Sequence, residues 1–426
     1  MKLAVFTNRF PGPVTTFFAR DMRALLEAGI DLDIFPIYPL EPTLWRYVPT
    51  ILNEGILPRR KVHHISLRQS LLSAGPWPLR KFGRFLRDTA AISASTVSSG
   101  LIPIAKSAYV FLKAWAWAHR CSDAYDHILA YWGNYAATCA YIFHRLTDRK
   151  VPFSIFLHAG IDLYENQVYL GQKLLYADNI IVESEFNREF IRQLYPDIFD
   201  LIANRIHVNY LGVDFAEFFF KSDGRPPSKI LAVGGLEKYK GFDYLLRAAH
   251  ELSRKGTDYE IELVGDGRES SSLKSLAHAL NIQRSVKFRG WLRPKEVQIA
   301  MTQATLLVHP SRGLGDGMPN VIKESMALGT PVVASNVAGI SELLDHGRCG
   351  ILVPPRDVPA LASAIETLLT NEALRRSYAD AARRYAEENF DLWRNGRRLA
   401  DILYSTKRLE RAGQLVAGNK VRSPKN

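Results

Sequence analysis

The sequence predicts an α/β protein with two parallel sheets, one in each of two domains. Three observations carry this. The chain has 426 residues, too many for one hydrophobic core of ordinary size. Apolar residues make up 47% and charged residues 23%, the balance of a globular chain and not of a disordered one. Short apolar runs alternate with amphipathic stretches in both halves, and strand–helix–strand repetition places parallel strands between layers of helices.

In the first half the pattern predicts strands at Leu3–Thr7, Leu32–Ile37, His127–Ala130 and Phe153–Leu157, with a helix over Phe17–Ala28 that Gly29 stops. In the second half strands are expected at Ile230–Val233, Tyr259–Val264, Val286–Phe288, Thr305–Val308, Pro331–Ala334 and Gly350–Val353. Helices are expected between them at Gly241–Leu252, Ser270–Ala279, Asn320–Leu328 and Pro359–Leu369. The polar stretch Lys221–Lys229, KSDGRPPSK, reads as the linker. The expected domains are therefore 1–220 and 228–388. A helix over 389–413 is expected to return to the first domain, and the basic tail 414–426 is expected to be disordered.

The formal net charge is +12, from 55 basic and 43 acidic residues, which favours an anionic partner. Three cysteines, Cys121, Cys139 and Cys349, show no C-x-x-C spacing, so neither a zinc site nor a disulfide framework is supported and a reducing compartment is the simpler reading. The opening MKLAVFT is too short an apolar run for a signal peptide. The apolar window Leu101–Ala118 is interrupted by Pro103, Lys106 and Lys113, which argues against a membrane span.

The segment Gly55–Ser122 holds a single acidic residue, Asp88. Its basic residues include Arg59, Arg60, Lys61, Arg68, Arg80, Lys81, Arg84 and Arg87, interleaved with Trp77, Phe82, Phe85, Trp115 and Trp117. Two readings stand: a solvated helical insertion with buried aromatics, or an interfacial patch on anionic lipid. No nucleic-acid-binding module is visible, and no nucleic acid is expected.

The densest chemical signal is Arg312–Pro331, RGLGDGMPNVIKESMALGTP. Gly313, Gly315 and Gly317 follow a strand, Pro319 suits a helix start, and Gly329 suits its end. Such a loop lets backbone amides approach phosphate, and the helix dipole adds to the attraction. Glu324 lies four residues after Asn320, on the same helix face. It is either a surface glutamate of a structural helix or a carboxylate that accepts from a ribose diol. VGGLEKYKG, Val233–Gly241, places Gly234, Gly235 and Lys240 where a strand gives way to a helix, a position suited to diphosphate. VGDGRESSSL, Val264–Leu273, is a third strand-and-turn of the same kind.

In this order the three segments resemble the C-terminal domain of family-4 glycosyltransferases, retaining enzymes of the GT-B fold with two Rossmann-like domains facing a central cleft. The resemblance covers roughly residues 130–405. It implies that Lys240 meets the donor diphosphate, although Gly235 stands where the family has an arginine. The family's paired glutamates appear as Asp316 and Glu324, which implies Asp316 near the donor sugar and Glu324 on the ribose. The amides of Gly317, Met318, Pro319 and Asn320, proline excepted, would hold the sugar or diphosphate. Val286–Leu292, VKFRGWL, resembles the lining of the base pocket, with Trp291 against the base.

In the first half, FSIFLHAGIDLYEN, Phe153–Asn166, delivers His158 to a strand end. Alone, His158 could be a core histidine bonded to a carbonyl. The family's histidine-glycine-x-aspartate element is matched by His158 and Asp162, with Gly160 shifted by one position. The resemblance aims His158 at the donor sugar. The start RFPGPVTTFFARDM, Arg9–Met22, is similar to that of bacterial exopolysaccharide and lipopolysaccharide glycosyltransferases, which implies acceptor contacts at Thr15 and Thr16, with Asp162 also on the acceptor side.

Asp31-Leu32-Asp33 spells a D-x-D, used elsewhere to hold a metal on a diphosphate, but it opens an alternating strand, and a strand-edge role is preferred. No metal or other cofactor is expected. The expected function is transfer of a sugar from a nucleotide sugar to a glycan or lipid-linked acceptor in cell-surface polysaccharide synthesis, in the cytoplasm or peripherally on anionic lipid of the inner membrane face. The alternative is a GT-B protein impaired at Gly235 and Asp316 that serves as a membrane- or nucleic-acid-binding module.

Overall fold

The structure, a computed structural model, describes residues 1–11, 16–38, 56–73, 79–96, 101–121, 124–147, 151–165 and 167–406. Thr15, Trp77 and the tail 414–426 lie outside the described residues. The chain divides into two compact units. The first comprises Met1–Glu183, Arg188–Asn209 and Arg394 onward; the second comprises Ser184–Asn187 and Tyr210–Trp393.

The first unit holds a six-stranded parallel sheet in the order β2-β1-β3-β4-β5-β6. Its strands are β1 (Lys2–Thr7), β2 (Asp31–Pro36), β3 (His127–Ala130), β4 (Phe153–Leu157), β5 (Asn179–Val182) and β6 (Ile206–Val208). Most of their side chains are apolar, as burial between two helical layers demands. β1 through β5 are almost wholly buried. Between β2 and β3 the helices Leu79–Thr96 and Leu101–Cys121 form the insertion. The aromatics there are divided: Trp115 and Trp117 are buried in the core, and Phe85 packs on Trp115 with ring centroids 4.4 Å apart. Arg84 donates to the Arg145 carbonyl at 2.8 Å, and Asp88 pairs with Arg145 at 2.7 Å. Much of the insertion is thus ordinary packing.

The second unit holds a parallel sheet in the order β12-β11-β10-β7-β8-β9. Its strands are β7 (Lys229–Val233), β8 (Glu260–Val264), β9 (Val286–Gly290), β10 (Leu306–His309), β11 (Val332–Ser335) and β12 (Ile351–Val353). The helices Phe242–Arg254 and Val358–Thr370 cover one face, and Asn320–Leu328 packs with Glu372–Asn389 on the other.

The linker position differs from the expectation. The chain passes between units at Asn209–Tyr210, not at Lys221–Lys229. Val213 and Phe218 are buried in the second unit's core. The Arg225 guanidinium donates to the carbonyls of Met301, Thr302, Ala304 and Leu328 at 2.8–3.0 Å. A segment that looks like a polar spacer is held down by one arginine. The return passage runs beside the first: Val213 N–H donates to the Phe390 carbonyl at 2.8 Å and Leu392 N–H to the Val213 carbonyl at 3.1 Å. The last helix, Leu392–Ser405, then buries Leu399, Ala400 and Leu403 in the first unit. There Gly396 packs against Ala24.

Candidate active site

In the second unit the chemistry gathers at the carboxyl ends of β7 and β10, neighbours in the sheet. Loops that meet there must leave their backbones close together. Gly241 opens the helix Phe242–Arg254 at φ 69°, and a Cβ at that position would run into the Pro310 carbonyl. Glycine alone fits both demands. The Arg312 N–H donates to the Tyr239 carbonyl at 3.0 Å, and Gly315 lies under the Tyr239 ring. The loop after β7 is thereby fastened to the loop after β10.

This fastening brings Lys240 to Asp316. Its ammonium donates to Asp316 Oδ1. The other oxygen, Oδ2, accepts from Ser311 Oγ and lies 3.1 Å from His309 Nε2. His309, Ser311 and Asp316 are all buried. Burial pushes the Asp316 carboxyl up, but the Lys240 and His309 charges and bonds outweigh it and hold the group well below the usual carboxylate range. Burial lowers the His309 ring, with Asp316 opposing. Nothing in the spacing announced this cluster: His309-Pro310 reads only as a strand end, and Lys240 and Asp316 are 76 residues apart.

Asp316 therefore sits withdrawn under Lys240. Gly235, where the resemblance implies an arginine, is exposed, and a Cβ there would meet nothing closer than 3.9 Å. Lys238 is exposed as well. Pro319 occupies the cap position of the helix Asn320–Leu328, with no side-chain cap. The Met318 side chain is in the core, which leaves only its backbone for a ligand. Glu324 is half-buried one turn into the helix. Trp291, after β9, is 51% exposed. Gly234, Gly235, Lys240, Asp316 and Trp291 thus all lie along the carboxyl edge of one sheet, where open α/β folds take ligands.

In the first unit β4 carries His158 to its carboxyl end. His158 is buried among four rings, with centroids 5.6 Å from Phe17, 4.3 Å from Tyr131, 4.8 Å from Trp132 and 4.2 Å from Phe156. Its Nδ1 lies 3.9 Å from Glu183 Oε2. Asp162 corrects an expectation. It is fully buried, and its Oδ2 accepts from the N–H groups of Gly133 and His158 at 3.0 Å. It fastens the His158 loop instead of facing an acceptor. Nearby, the buried Lys173 ammonium donates to the carbonyls of Gly133 at 2.7 Å and Asn134 at 3.1 Å and to Thr138 Oγ1 at 3.2 Å. Burial pushes Asp162 up to about 7 and Lys173 down to about 7, their mutual attraction opposing both shifts. Thr16 is exposed at the start of the helix Thr16–Glu27.

The D-x-D carboxylates are engaged by cations. Lys61 Nζ lies 2.7 Å from Asp31 and 3.4 Å from Asp33, which also accepts from Tyr125 Oη at 2.8 Å. Burial pushes Asp33 up, but bonds from His63 and Tyr125 and the Lys61 charge bring it down to about 2. Both residues brace the start of β2.

Residues 227–371 match the family of glycosyl transferases, group 1. The amylovoran biosynthesis glycosyltransferase AmsK of Erwinia amylovora is 26% identical over 424 residues, 95% of this chain and 99% of the relative. An uncharacterized glycosyltransferase of Haemophilus influenzae is 35% identical over 160 residues, 37% of this chain and 44% of the relative, so the match spans less than half of that protein. Among solved structures, Anabaena HepE in complex with UDP superposes with a TM-score of 0.67 at 18% identity, covering 95% of this chain and 99% of that one. With this match confined to its second unit and a parallel sheet in each unit, the chain is similar to the group 1 glycosyl transferases over residues 227–371 and has the GT-B fold of its structural neighbours.

Proposed function

We propose that the protein transfers a sugar, with retention, from a nucleotide sugar to a glycan or lipid-linked acceptor of cell-surface polysaccharide synthesis, without a metal. The observation that carries the reading is the Lys240 ammonium, held at the carboxyl end of β7 by the buried Asp316. A departing nucleoside diphosphate gains negative charge, and a positioned cation beside a helix N-terminus stabilises it. Asp316, His309 and Ser311 keep Lys240 in place before the donor arrives. His158 is assigned to the donor sugar and Thr16 to the acceptor. The UDP bound by the Anabaena neighbour and the polysaccharide named for the Erwinia relative support the donor class and the pathway class.

The insertion supports a membrane location. Leu67, Leu71, Leu72, Phe82, Leu86 and Ile102 are 44–77% exposed, beside the exposed Arg68 and Arg87. Among the described residues no helix is long and apolar enough to cross a membrane. Apolar side chains that point outward among arginines fit an anionic interface.

The test is calorimetry and turnover with a panel of nucleoside diphosphates and nucleotide sugars. Glu324→Ala is expected to weaken donor binding by about 1–3 kcal/mol through unpaired ribose hydroxyls. Lys240→Ala is expected to lower turnover more than Lys238→Ala, and chelator to leave turnover intact. Absence of both transfer and donor hydrolysis across the panel would favour an inactive binding module.

A further inference from the structure

Two buried charges in the first unit meet on one glycine of the loop after β3. Gly133 follows Trp132 there. Its N–H donates to Asp162 Oδ2 at 3.0 Å, and its carbonyl accepts from the Lys173 ammonium at 2.7 Å. Opposite charges thus hold the peptide bonds on either side of this residue. A Cβ on Gly133 would run into the Leu157 side chain and the Asp162 carbonyl, so the loop lies hard against the end of β4.

Lys173, on the helix Leu170–Tyr176, is 0% exposed. Burying an ammonium costs far more than burying an apolar side chain of the same length. Its three hydrogens have three acceptors, the Gly133 and Asn134 carbonyls and Thr138 Oγ1. Those acceptors belong to the loop after β3 and to the start of the helix Tyr135–Leu146, which Asn134 caps. A leucine would fill the space; only a donor can hold the loop's carbonyls. From the other side, Asp162 Oδ2 accepts a second N–H, that of His158, at 3.0 Å. One oxygen therefore joins the loop after β3 to the loop after β4. The two rings beside that junction, Trp132 and His158, have centroids 4.8 Å apart.

We propose that Lys173 is a positioning residue: it holds the Gly133 loop against Asp162 and thereby sets Trp132 and His158 relative to each other. The inference rests on the assignment of His158 to the donor sugar only for its effect on turnover. Lys173 acts through Gly133 and Asp162 and has no contact with the substrate to make.

The full-length protein is labelled with 5-fluorotryptophan, and the Trp132 resonance, one of seven tryptophans, is identified with Trp132→Phe. Lys173→Met is expected to shift or broaden that resonance. Thr138→Val is expected to do so less, and Thr138→Ser, which keeps the hydroxyl, to retain the native spectrum. A lysine that only filled space would change the melting temperature and leave Trp132 where it is. Turnover is read with UDP-glucose as the probe, at a temperature where circular dichroism shows each variant folded. Lys173→Met is expected to lower kcat roughly tenfold, the effect of a slightly misplaced group, with KM unchanged. Where Lys173→Met fails to fold, the comparison of Thr138→Val with Thr138→Ser decides. A Trp132 resonance unmoved in Thr138→Val and in Lys173→Met would overturn the proposal, and so would an equal shift in Thr138→Ser and Thr138→Val. Native turnover in His158→Ala would instead remove the donor-sugar assignment and leave the Trp132 result standing.

Discussion

Ala159 adopts φ 90° and ψ −163°, a conformation that costs an L-residue on the order of 1–3 kcal/mol. It lies between His158 and Gly160, where the family element has its glycine one position earlier. The strain is the consequence: the turn that presents His158 keeps a glycine geometry with an alanine in it. Ala159→Gly is expected to stabilise the protein by about 1 kcal/mol after the larger freedom of the unfolded glycine is subtracted, read as a higher urea midpoint. A lower midpoint would mean that the surroundings do not impose this backbone. Asp162, which fastens the same loop, gives a pH signature. Its folded pKa is raised by burial from 3.8 to about 7, so the folded state holds the proton longer than the unfolded chain. Its contribution is present at low pH and is lost as pH rises through that window. The urea midpoint of the native protein should therefore fall relative to Asp162→Asn between pH 4 and 7; parallel profiles would refute the shift. At this scale the sequence singled out His158, Lys240 and Asp316 as candidates. It did not show that Lys240 and Asp316 bond to each other, because residue spacing carries no distance across two loops.

At the scale of elements, the helix Phe242–Arg254 owes its placement to one residue. Gly241 has both a positive φ and a carbonyl where its side chain would be. Gly256 has φ 76° and open space where a Cβ would stand. Gly256→Ala is expected to cost about 1 kcal/mol, the conformational term alone. Gly241→Ala is expected to cost at least about 2 kcal/mol more, because the Pro310 backbone must move, and also to weaken nucleotide binding through Lys240. Equal thermal shifts for the two variants would show that the loops part easily. Elements themselves were readable where the apolar period was strong. The strands His127–Ala130 and Phe153–Leu157 and the helices Ser270–Ala279 and Asn320–Leu328 have the predicted bounds. Lys221–Lys229 misled because prolines and charge imitate a spacer, whereas the Arg225 bonds that pin it are tertiary and leave no periodic trace.

For the molecule as a whole, the charge excess of +12 and the outward-facing leucines of the insertion bear on location. Each Lys or Arg near an anionic bilayer contributes roughly 1 kcal/mol, and salt screens that contribution within about a Debye length. The protein is expected to co-sediment with vesicles that contain anionic lipid, less so at high salt. Leu71→Ser with Leu72→Ser, and Arg87→Gln, are each expected to reduce the bound fraction. Equal binding to neutral vesicles, or none at low salt, would leave the insertion as a solvated surface. The α/β class and the parallel sheets were legible because both halves repeat one pattern. The division of the chain was less so, since a unit completed by residues from its two ends looks in sequence like one long domain followed by another.

That completion sets an order of events during synthesis. The six strands of the first sheet have left the ribosome once Val208 has emerged, but the helix Leu392–Ser405 that covers Ala24 and buries Leu399 and Leu403 follows only after the entire second unit. At ordinary elongation speeds this is a wait on the order of ten seconds or more. Throughout it the first unit carries an uncovered apolar groove on the nascent chain, while the second unit, continuous from Tyr210 to Trp393 apart from Ser184–Asn187, has all its residues before the first is sealed. The half of the protein that is translated first is the half that finishes last.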